Sequence, residues 1–276
     1  MKQMKFFKVC FATVLGFVAV ALNTEMVIAQ SAFSVSATKK VCFSQGNLQY
    51  QASTKTWRFA EHQYDMIGDA NKNVSSTYSG WIDLFGWGTS GYNGKNPYMT
   101  SINDDDYGVV GANLADIAGI NYDWGVYNKI SNGGNVAGRW RTLTCEEWKY
   151  VVYKRTDASS LISLSIVNGI EGLILLPDDW STPAGVAFKA GMNGLENNTY
   201  TVNEWAKMEA NGAIFLPAAG YRAGTGVNNV GSGGYYWSAT ADDYYGAYCL
   251  DFLSGDASMY NYFRYNGHSV RLVRSL

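Results

Sequence analysis

The sequence predicts an α+β domain in which two main helices accompany many short strands. The helices are predicted because a capping-box pattern, Thr-x-x-Glu, occurs at Thr144 to Glu147 and again at Thr201 to Glu204. The strands are predicted because short runs of β-branched and aromatic residues alternate with Gly, Asn and Ser turn signals. No Gly/Ser-rich or Pro-rich linker divides the 276 residues, so we expect one domain.

The N-terminal residues are expected to be a processing signal. Three lysines among the first eight residues precede an apolar stretch from Cys10 to Leu22, and Val27-Ile28-Ala29 fits the pattern that signal peptidase cleaves. The apolar stretch is shorter than the ~20 residues of a membrane-spanning helix. We therefore predict a signal peptide over 1–29 and an exported domain over 30–276 with no transmembrane span. The expected location is the cell surface or the extracellular space, with the periplasm as the alternative.

The first strands are predicted from short apolar runs around turn residues. Val41-Cys42-Phe43 and Leu48-Gln49-Tyr50 flank Gly46-Asn47, and Thr56-Trp57-Arg58-Phe59 continues the pattern. From Asp65 to Gly111 the sequence mixes Gly, Asn and Ser with aromatic residues and shows no periodicity. Because a free loop of this length is unusual, we expect aromatic side chains to anchor it.

Apolar spacing supports the two helices that the capping boxes begin. After the first box, Trp148, Val151 and Val152 fall on one helical face at spacings of three and four. After the second box, Trp205 and Met208 are three residues apart. Each helix therefore has an apolar face, as expected for a helix that packs on a core.

The later strands are predicted from apolar runs that end at turn residues. Gly172 to Pro177 and Ala213 to Pro217 are apolar runs ending in proline, typical of short buried strands. From Tyr235 onward the sequence predicts successive short strands, with turns at Gly246, Ser254-Gly255 and Asn266-Gly267.

Charge and acidic residues exclude some classes of function. The formal net charge is −2, which argues against nucleic acid as a partner because phosphate binding needs a basic patch. Asp69 to Asn73 has the start of a calcium loop, but Val74 and Gly80 stand where Gly and Glu are required. We interpret Asp104-Asp105-Asp106 as a solvated loop, with the ligands of a looser calcium site as the alternative. No metal site and no cofactor is predicted.

Three cysteines, Cys42, Cys145 and Cys249, remain after the predicted cleavage. An odd count leaves at least one thiol free or intermolecular. We expect each to be a buried, inert thiol. A Cys42–Cys145 disulfide is the alternative.

The segment Asp242 to His268 has the composition of a binding surface. It is crowded with Tyr, Phe, Asp, Asn, Ser and Gly, and it lacks Lys, Glu, Gln and Trp. Tyr supplies large, stiff, amphipathic contact area, while Ser, Gly and Asn supply adaptable hydrogen bonds. The segment therefore indicates recognition of an unknown protein or glycan ligand.

Three segments resemble the formylglycine-generating-enzyme branch of the C-type lectin fold. They are Arg139 to Tyr150, which holds Thr-x-x-Glu-Trp, Gly234 to Thr240, which holds Tyr-Tyr-Trp-Ser, and Gly267 to Arg274, which holds Arg-Leu. The resemblance implies a C-type lectin-like fold.

A narrower resemblance is to the variable proteins of diversity-generating retroelements, which use this fold to display a mutable C-terminal surface. Their variable codons cannot encode Lys, Glu, Gln, Trp or Met, and Asp242 to His268 obeys this rule except at Met259.

That resemblance implies a set of variable, ligand-binding positions within 242–268. They are Asp242, Asp243, Tyr244, Tyr245, Cys249, Asp251, Leu253, Asp256, Ser258, Tyr260, Asn261, Tyr262, Phe263, Tyr265, Asn266 and His268. The fixed positions implied between them are Ala247, Tyr248, Leu250, Phe252, Met259, Arg264 and Gly267. The two-residue period of a strand partly supports this division, because Tyr248, Leu250 and Phe252 share one face and Cys249, Asp251 and Leu253 share the other. Asn261 falls on the fixed face and fits least well.

The expected function is non-catalytic ligand binding by an exported protein, with no catalytic residue. The related enzymes use a pair of cysteines near the C-terminus, where this chain has Cys249 alone. The chain has two histidines, His62 and His268, and neither lies in a recognisable nucleophile context. Two alternatives stay open: an exported structural or adhesive protein without diversification, and an enzyme of the formylglycine-generating type.

Overall fold

The computed structural model of the chain describes residues 31–109, 115–193, 195–242, 246–253 and 255–276. Short strands and short helices are mixed along these residues, so the predicted α+β class is confirmed. The predicted signal peptide, 1–29, lies outside the described residues.

Strands are formed along most of the described chain. In order they are β1 (Phe33–Ser34), β2 (Lys40–Phe43), β3 (Leu48–Gln51), β4 (Thr56–Phe59), β5 (Trp81–Ile82), β6 (Ile162–Val167), β7 (Ile170–Leu175), β8 (Thr199–Tyr200), β9 (Ile214–Pro217), β10 (Tyr221–Ala223), β11 (Gly226–Asn228), β12 (Gly234–Ala241), β13 (Gly246–Leu253), β14 (Asp256–Phe263) and β15 (Val273–Ser275). The strands predicted near 41–43, 48–50 and 56–59 are confirmed as β2, β3 and β4. Gly246, predicted as a turn, is instead the first residue of β13.

Within the described residues the strands form small sheets. Their orders are β1-β2-β15, β4-β3-β5, β8-β6-β7-β9, β10-β11 and β12-β13-β14. The pairing of β2 with β15 joins the start of the described chain to its end, with Val273 opposite Phe43. The pairs within β12-β13-β14 are antiparallel, and each of these three strands is eight residues long.

Helices are short, and the two main ones begin as predicted. The α-helices described are α1 (Trp124–Tyr127), α2 (Cys145–Lys149) and α3 (Val202–Ala210), of which α2 and α3 are the predicted ones. A π-helical turn, Tyr150–Lys154, continues α2. At α2, Thr144 Oγ1 accepts from the Glu147 amide at 3.2 Å, and Glu147 Oε2 accepts from the Thr144 amide at 2.9 Å. Thr201 and Glu204 make the same reciprocal bonds at α3, so both capping boxes are confirmed.

Two apolar clusters pack against opposite faces of the β12-β13-β14 sheet. On one face lie Tyr236, Leu250 and Phe252, with Trp148 of α2 in the same cluster. On the other lie Tyr235, Trp237, Ala247 and Cys249, in the cluster that also holds Phe85, Trp87, Val270 and Leu272. The sheet is therefore a central layer of the domain.

The segment 65–111 is anchored by aromatic residues, as expected for the part that the structure describes. Phe85 and Trp87 are fully buried, and Trp87 Nε1 donates to the Ser238 carbonyl at 2.9 Å. The cysteine prediction is also confirmed, since Cys42, Cys145 and Cys249 are free and buried.

Asp123, which sequence reasoning missed, is a buried carboxylate that joins two segments. Its side chain accepts from the Gly125 amide at 3.1 Å, the Thr142 amide at 2.9 Å and the Thr142 hydroxyl at 3.0 Å. The first bond caps α1, and the other two hold the strand-like residues before α2. Burial raises the pKa of Asp123 to about 6.

Replacing Asp123 with Ala should destabilise the domain by about 2–4 kcal/mol, because three donors lose their buried acceptor. Asp123→Asn should cost less, since its amide oxygen still accepts. Denaturant titration would measure the difference, with Asp69→Ala at an exposed position as the control, expected within about 0.5 kcal/mol of the parent. A loss in Asp123→Ala no larger than the control's would contradict the structural role.

Candidate ligand-binding surface

The strand β14 lies at the edge of its sheet, and β13 lies in the middle. All eight residues of β14 pair with β13, from Leu253 opposite Asp256 to Gly246 opposite Phe263. The far edge of β12 is covered, because the Trp237 amide donates to the Ser269 carbonyl at 3.0 Å and the Ser269 amide donates to the Tyr235 carbonyl at 2.9 Å. In the described part of the chain, β14 pairs with β13 alone.

The structure exposes part of the predicted set of ligand-binding positions. Leu253, Asp256, Tyr260, Asn261 and Phe263 are exposed. Asp242, Ser258, Tyr262 and Tyr265 are half-buried. Asp243, Tyr244 and Tyr245 lie outside the described residues. We call the exposed residues together with Ser258 and Tyr265 the β14 surface.

Four predicted positions are buried, so the expectation that they face solvent is wrong. They are Cys249, Asp251, Asn266 and His268, and for Cys249 the burial agrees with the separate expectation of a buried thiol. For Cys249 and Asp251 the reason is the position of β13, which is covered on both faces. The Cys249 face packs with Trp237 and Val270, while the Leu250 face packs with Trp148. The two-residue period separated two faces correctly, but both faces of β13 are packed along most of the strand, and Leu253 at its end is the exposed residue.

On the edge strand the division into fixed and variable positions agrees better with exposure. The fixed position Met259 is half-buried and packs on the cluster that holds Trp148, and so does the buried Ala257, which belongs to neither set. Tyr260 is 52% exposed and Phe263 is 53% exposed. The Phe263 and Tyr265 rings stack with centroids 5.2 Å apart and planes 10° apart. Large aromatic side chains are therefore presented on a strand whose fixed residues are packed.

Tyr262 belongs partly to the core. Its hydroxyl donates to the Asp251 carboxylate, and its ring makes an edge contact with Tyr235 at 5.6 Å. The Tyr235 hydroxyl in turn accepts from Asn229 Nδ2 at 2.8 Å. Burial raises the pKa of Tyr262, and the hydrogen bond to Asp251 raises it further, so the phenol stays a neutral donor. Burial also raises the pKa of Asp251.

His268 lies beneath this group of tyrosines. Its ring stacks on Trp237 at a centroid distance of 4.2 Å and contacts Tyr262 edge-on at 5.1 Å. Neither ring nitrogen has a hydrogen-bond partner among the described residues. Complete burial lowers the pKa of His268 to about 3, so the imidazole is neutral at neutral pH. His268 thus acts as an aromatic packing residue, and ligand cannot reach it directly.

The acidic run Asp104-Asp105-Asp106 supports the end of β14. It forms a short 3₁₀ turn, in which Asp104 is buried and accepts from the Tyr265 amide at 3.3 Å. Arg264 Nη2 lies 3.9 Å from Asp105. No group of three or more His, Cys, Asp or Glu residues placed to hold a metal ion occurs in the described residues. The run is therefore tied to the protein and differs from the solvated loop that we predicted.

Sequence reasoning missed Tyr153, which borders the β14 surface. Its hydroxyl donates to the Ala257 carbonyl, and its side chain is 49% exposed. Its exposure could have been predicted from its position next to Val151 and Val152. Because those residues face the core, Tyr153 is placed on the outer side of the turn.

The three segments that carry the resemblance meet in one place. The Arg141 and Val273 backbones exchange hydrogen bonds of 2.9 Å, and the Ala239 amide donates to the Leu143 carbonyl at 2.7 Å. The Arg141 guanidinium also makes a bidentate ion pair with Glu147, at 2.6 and 2.8 Å. Residues far apart in sequence thus form one structural unit next to β13.

A family model described as a domain of unknown function, DUF8237, matches residues 194–273. The match spans α3 and the β12-β13-β14 sheet. No curated protein and no solved structure matches the chain. Among the described residues, no helix has the length and apolar character needed to cross a membrane.

Replacing His268 with Phe should flatten the acid dependence of stability. The folded-state pKa is about 3 and an unfolded histidine titrates near 6.5. The unfolded state therefore binds more protons between these pH values, and stability is lost as the pH falls below about 6.5. At pH 5 the loss from this residue should be about 2 kcal/mol, and His268→Phe should remove it while retaining the stacking on Trp237.

Urea titrations of the parent and His268→Phe at pH 7 and pH 5 would measure this effect. Asp83 and Asp123, whose pKa values burial raises to about 6, titrate in both proteins and cancel in the difference. Equal losses of stability in the two proteins between pH 7 and pH 5 would show that His268 is not a buried neutral ring.

Proposed function

We propose that this chain is an exported, non-catalytic ligand-binding protein that recognises its ligand through the β14 surface. The fold proposed is C-type lectin-like, of the formylglycine-generating-enzyme-like subclass, and the surface is proposed to tolerate diversification. The observation that carries the proposal is the set of exposed aromatic side chains on β14, a strand backed along its whole length by the buried strand β13.

The convergence of the three resembling segments supports the proposed fold. Backbone hydrogen bonds join Arg141 to Val273, Leu143 to Ala239 and Trp237 to Ser269. Segments that only shared a local pattern with the family by accident would have no reason to meet. The DUF8237 match over 194–273 covers Gly234 to Thr240, all of Gly267 to Arg274 except its last residue, and the proposed surface, and it names no function.

The physical character of the β14 surface supports binding. Tyr260 and Phe263 expose rigid rings that lose little conformational entropy on contact, while Asp256, Ser258 and Asn261 supply polar groups beside them. Exposed residues of this kind contribute little to packing, so their identity can change without loss of the fold.

Catalysis by a cysteine pair is the less favoured alternative. Burial raises the pKa of the Cys145 thiol and raises that of Cys249 well above its ordinary value. Both thiols are thus kept protonated, whereas a nucleophilic cysteine needs its thiolate. An exported structural or adhesive protein of the same fold remains the other alternative, and it differs from the proposal only in lacking diversification.

The double substitution Tyr260→Ala with Phe263→Ala should leave the free energy of unfolding within about 1 kcal/mol of the parent, because about half of each side chain is exposed. Phe252→Ala is the matched control, and it should cost about 3–5 kcal/mol because its ring is buried on the neighbouring strand. Thermal and denaturant unfolding would measure both. A double variant as unstable as the control would show that the surface is core, and the proposal would fail.

Ligand binding is tested by screening the parent and the double variant on glycan and peptide arrays. The expected result is a class of ligand that the parent binds and the stable double variant does not.

The diversification is tested separately in the DNA. A nearby reverse-transcriptase gene and a template copy that differs at adenines would support it, and their absence would favour the adhesive alternative.

A further inference from the structure

The direction of each backbone group in β14 follows from the covered edge of β12. The carbonyl of Tyr235 and the amide of Trp237 bond to Ser269, on the side away from β13. Along a strand, the amide and carbonyl of one residue point to one side, and those of the next residue point to the other. The backbone groups of Gly234 and Tyr236 therefore point towards β13 and bond to Phe252 and Leu250, respectively. The polar backbone groups of Cys249 and Asp251 then point the other way, towards β14.

It follows that alternate residues of β14 point their backbone groups outward. Tyr260 and Ser258, opposite Cys249 and Asp251, bond to β13. Ala257, Met259, Asn261 and Phe263 present their amides and carbonyls to the open edge. The Ala257 carbonyl accepts from the Tyr153 hydroxyl, and the Phe263 carbonyl accepts from the Asn266 amide at 3.0 Å, as this assignment requires.

The centre of the open edge lacks such partners. In the part of the chain that the structure describes, no strand pairs with the outward groups of Met259 and Asn261. Proteins usually protect an edge strand with lysine, proline, a bulge or short length. The strand β14 has eight residues in continuous register and contains neither lysine nor proline. Such an edge is suited to accept another strand.

Charge indicates what kind of strand fits. The face of the sheet that carries Tyr260 also carries the exposed Asp256, and no described Lys or Arg forms an ion pair with its carboxylate. Tyr260 and Asp256 lie four residues apart on the same face of β14, so an extended polypeptide could place one basic side chain beside the exposed Tyr260 ring and another beside the Asp256 carboxylate. On the opposite face, Lys149 and Lys154 are both paired with Glu146.

We propose that β14 binds an extended polypeptide as an added strand, with lysine or arginine side chains of that polypeptide on the Tyr260 and Asp256 face. The inference rests on the proposed function and names the class of its ligand. Met259 and Asn261 supply the main-chain hydrogen bonds, which set the register. Tyr260 and Asp256 select the basic side chains.

The probe is an eight-residue peptide of alternating lysine and valine with blocked ends. In an extended strand its lysine amides lie along one edge and its valine amides along the other. Two isomers carry N-methyl groups on either the lysine or the valine amides. Because only one edge can meet β14, one isomer should lose at least about tenfold in affinity while the other binds like the unmodified peptide. Loss on the valine amides indicates antiparallel addition, and loss on the lysine amides indicates parallel addition.

Amide hydrogen exchange on the intact exported domain supplies an independent readout. The Met259 and Asn261 amides should exchange quickly in the free protein and become protected by the peptide. The Ser258 and Tyr260 amides, already bonded to β13, should exchange slowly in both states.

Asp256→Lys should weaken peptide binding about tenfold or more, while Asp179→Lys, an exposed control outside this sheet, should leave it unchanged.

Three outcomes would overturn the inference. They are no binding of the peptide at millimolar concentration, equal effects of the two methylation patterns, and unchanged exchange at Met259 and Asn261 in the bound state. None of these refutes ligand binding by the β14 surface, since a glycan bound by the parent and lost in the Tyr260→Ala and Phe263→Ala variant would leave that proposal standing. The proposed function fails instead if that variant unfolds.

Discussion

The arrangement of the C-terminal sheet depends on the backbone hydrogen bonds that hold β12 between its neighbours. On the edge away from β13, β12 bonds to Ser269, and beyond Trp237 the Ala239 amide donates to the Leu143 carbonyl. A buried amide or carbonyl left without a partner costs about 1–3 kcal/mol, so these bonds fix the strand in place and in direction. β13 takes its register from β12, and β14 takes its register from β13. The hydrogen bonds of β12 therefore determine which backbone groups of β14 face outward, although β12 lies two strands away.

Local features of the sequence predicted local features of the structure. The Thr and Glu residues of the two capping boxes need only each other, at a spacing of three, and both boxes form. The short strands around Gly46-Asn47 likewise depend on neighbouring residues, and they too are present. The mixture of helix and strand follows from these elements, so the α+β class could be predicted without any knowledge of long-range contacts.

Exposure within the candidate surface could not be predicted in the same way, because it depends on distant residues. The alternation in β13 does not reveal that Val270 and Leu272 lie in the cluster against one face and Trp148 in the cluster against the other. Tyrosine is equally ambiguous, since Tyr236 is fully buried and Tyr260 is half exposed in the same sheet. His268 is read as polar in a sequence, but the aromatic rings around it make it part of the core.

The burial that removes Cys249 and Asp251 from the surface also favours the proposed recognition by β14. A strand packed on both faces cannot shift without breaking two apolar clusters, so β13 holds its neighbour in one register. The Asp251 carboxylate extends this constraint to β14 by accepting a hydrogen bond from the Tyr262 hydroxyl. A surface that is already ordered loses less entropy on binding than a flexible loop of the same composition. Under the proposed function, side chains such as Tyr260 would then differ in identity while the backbone that presents them stays the same.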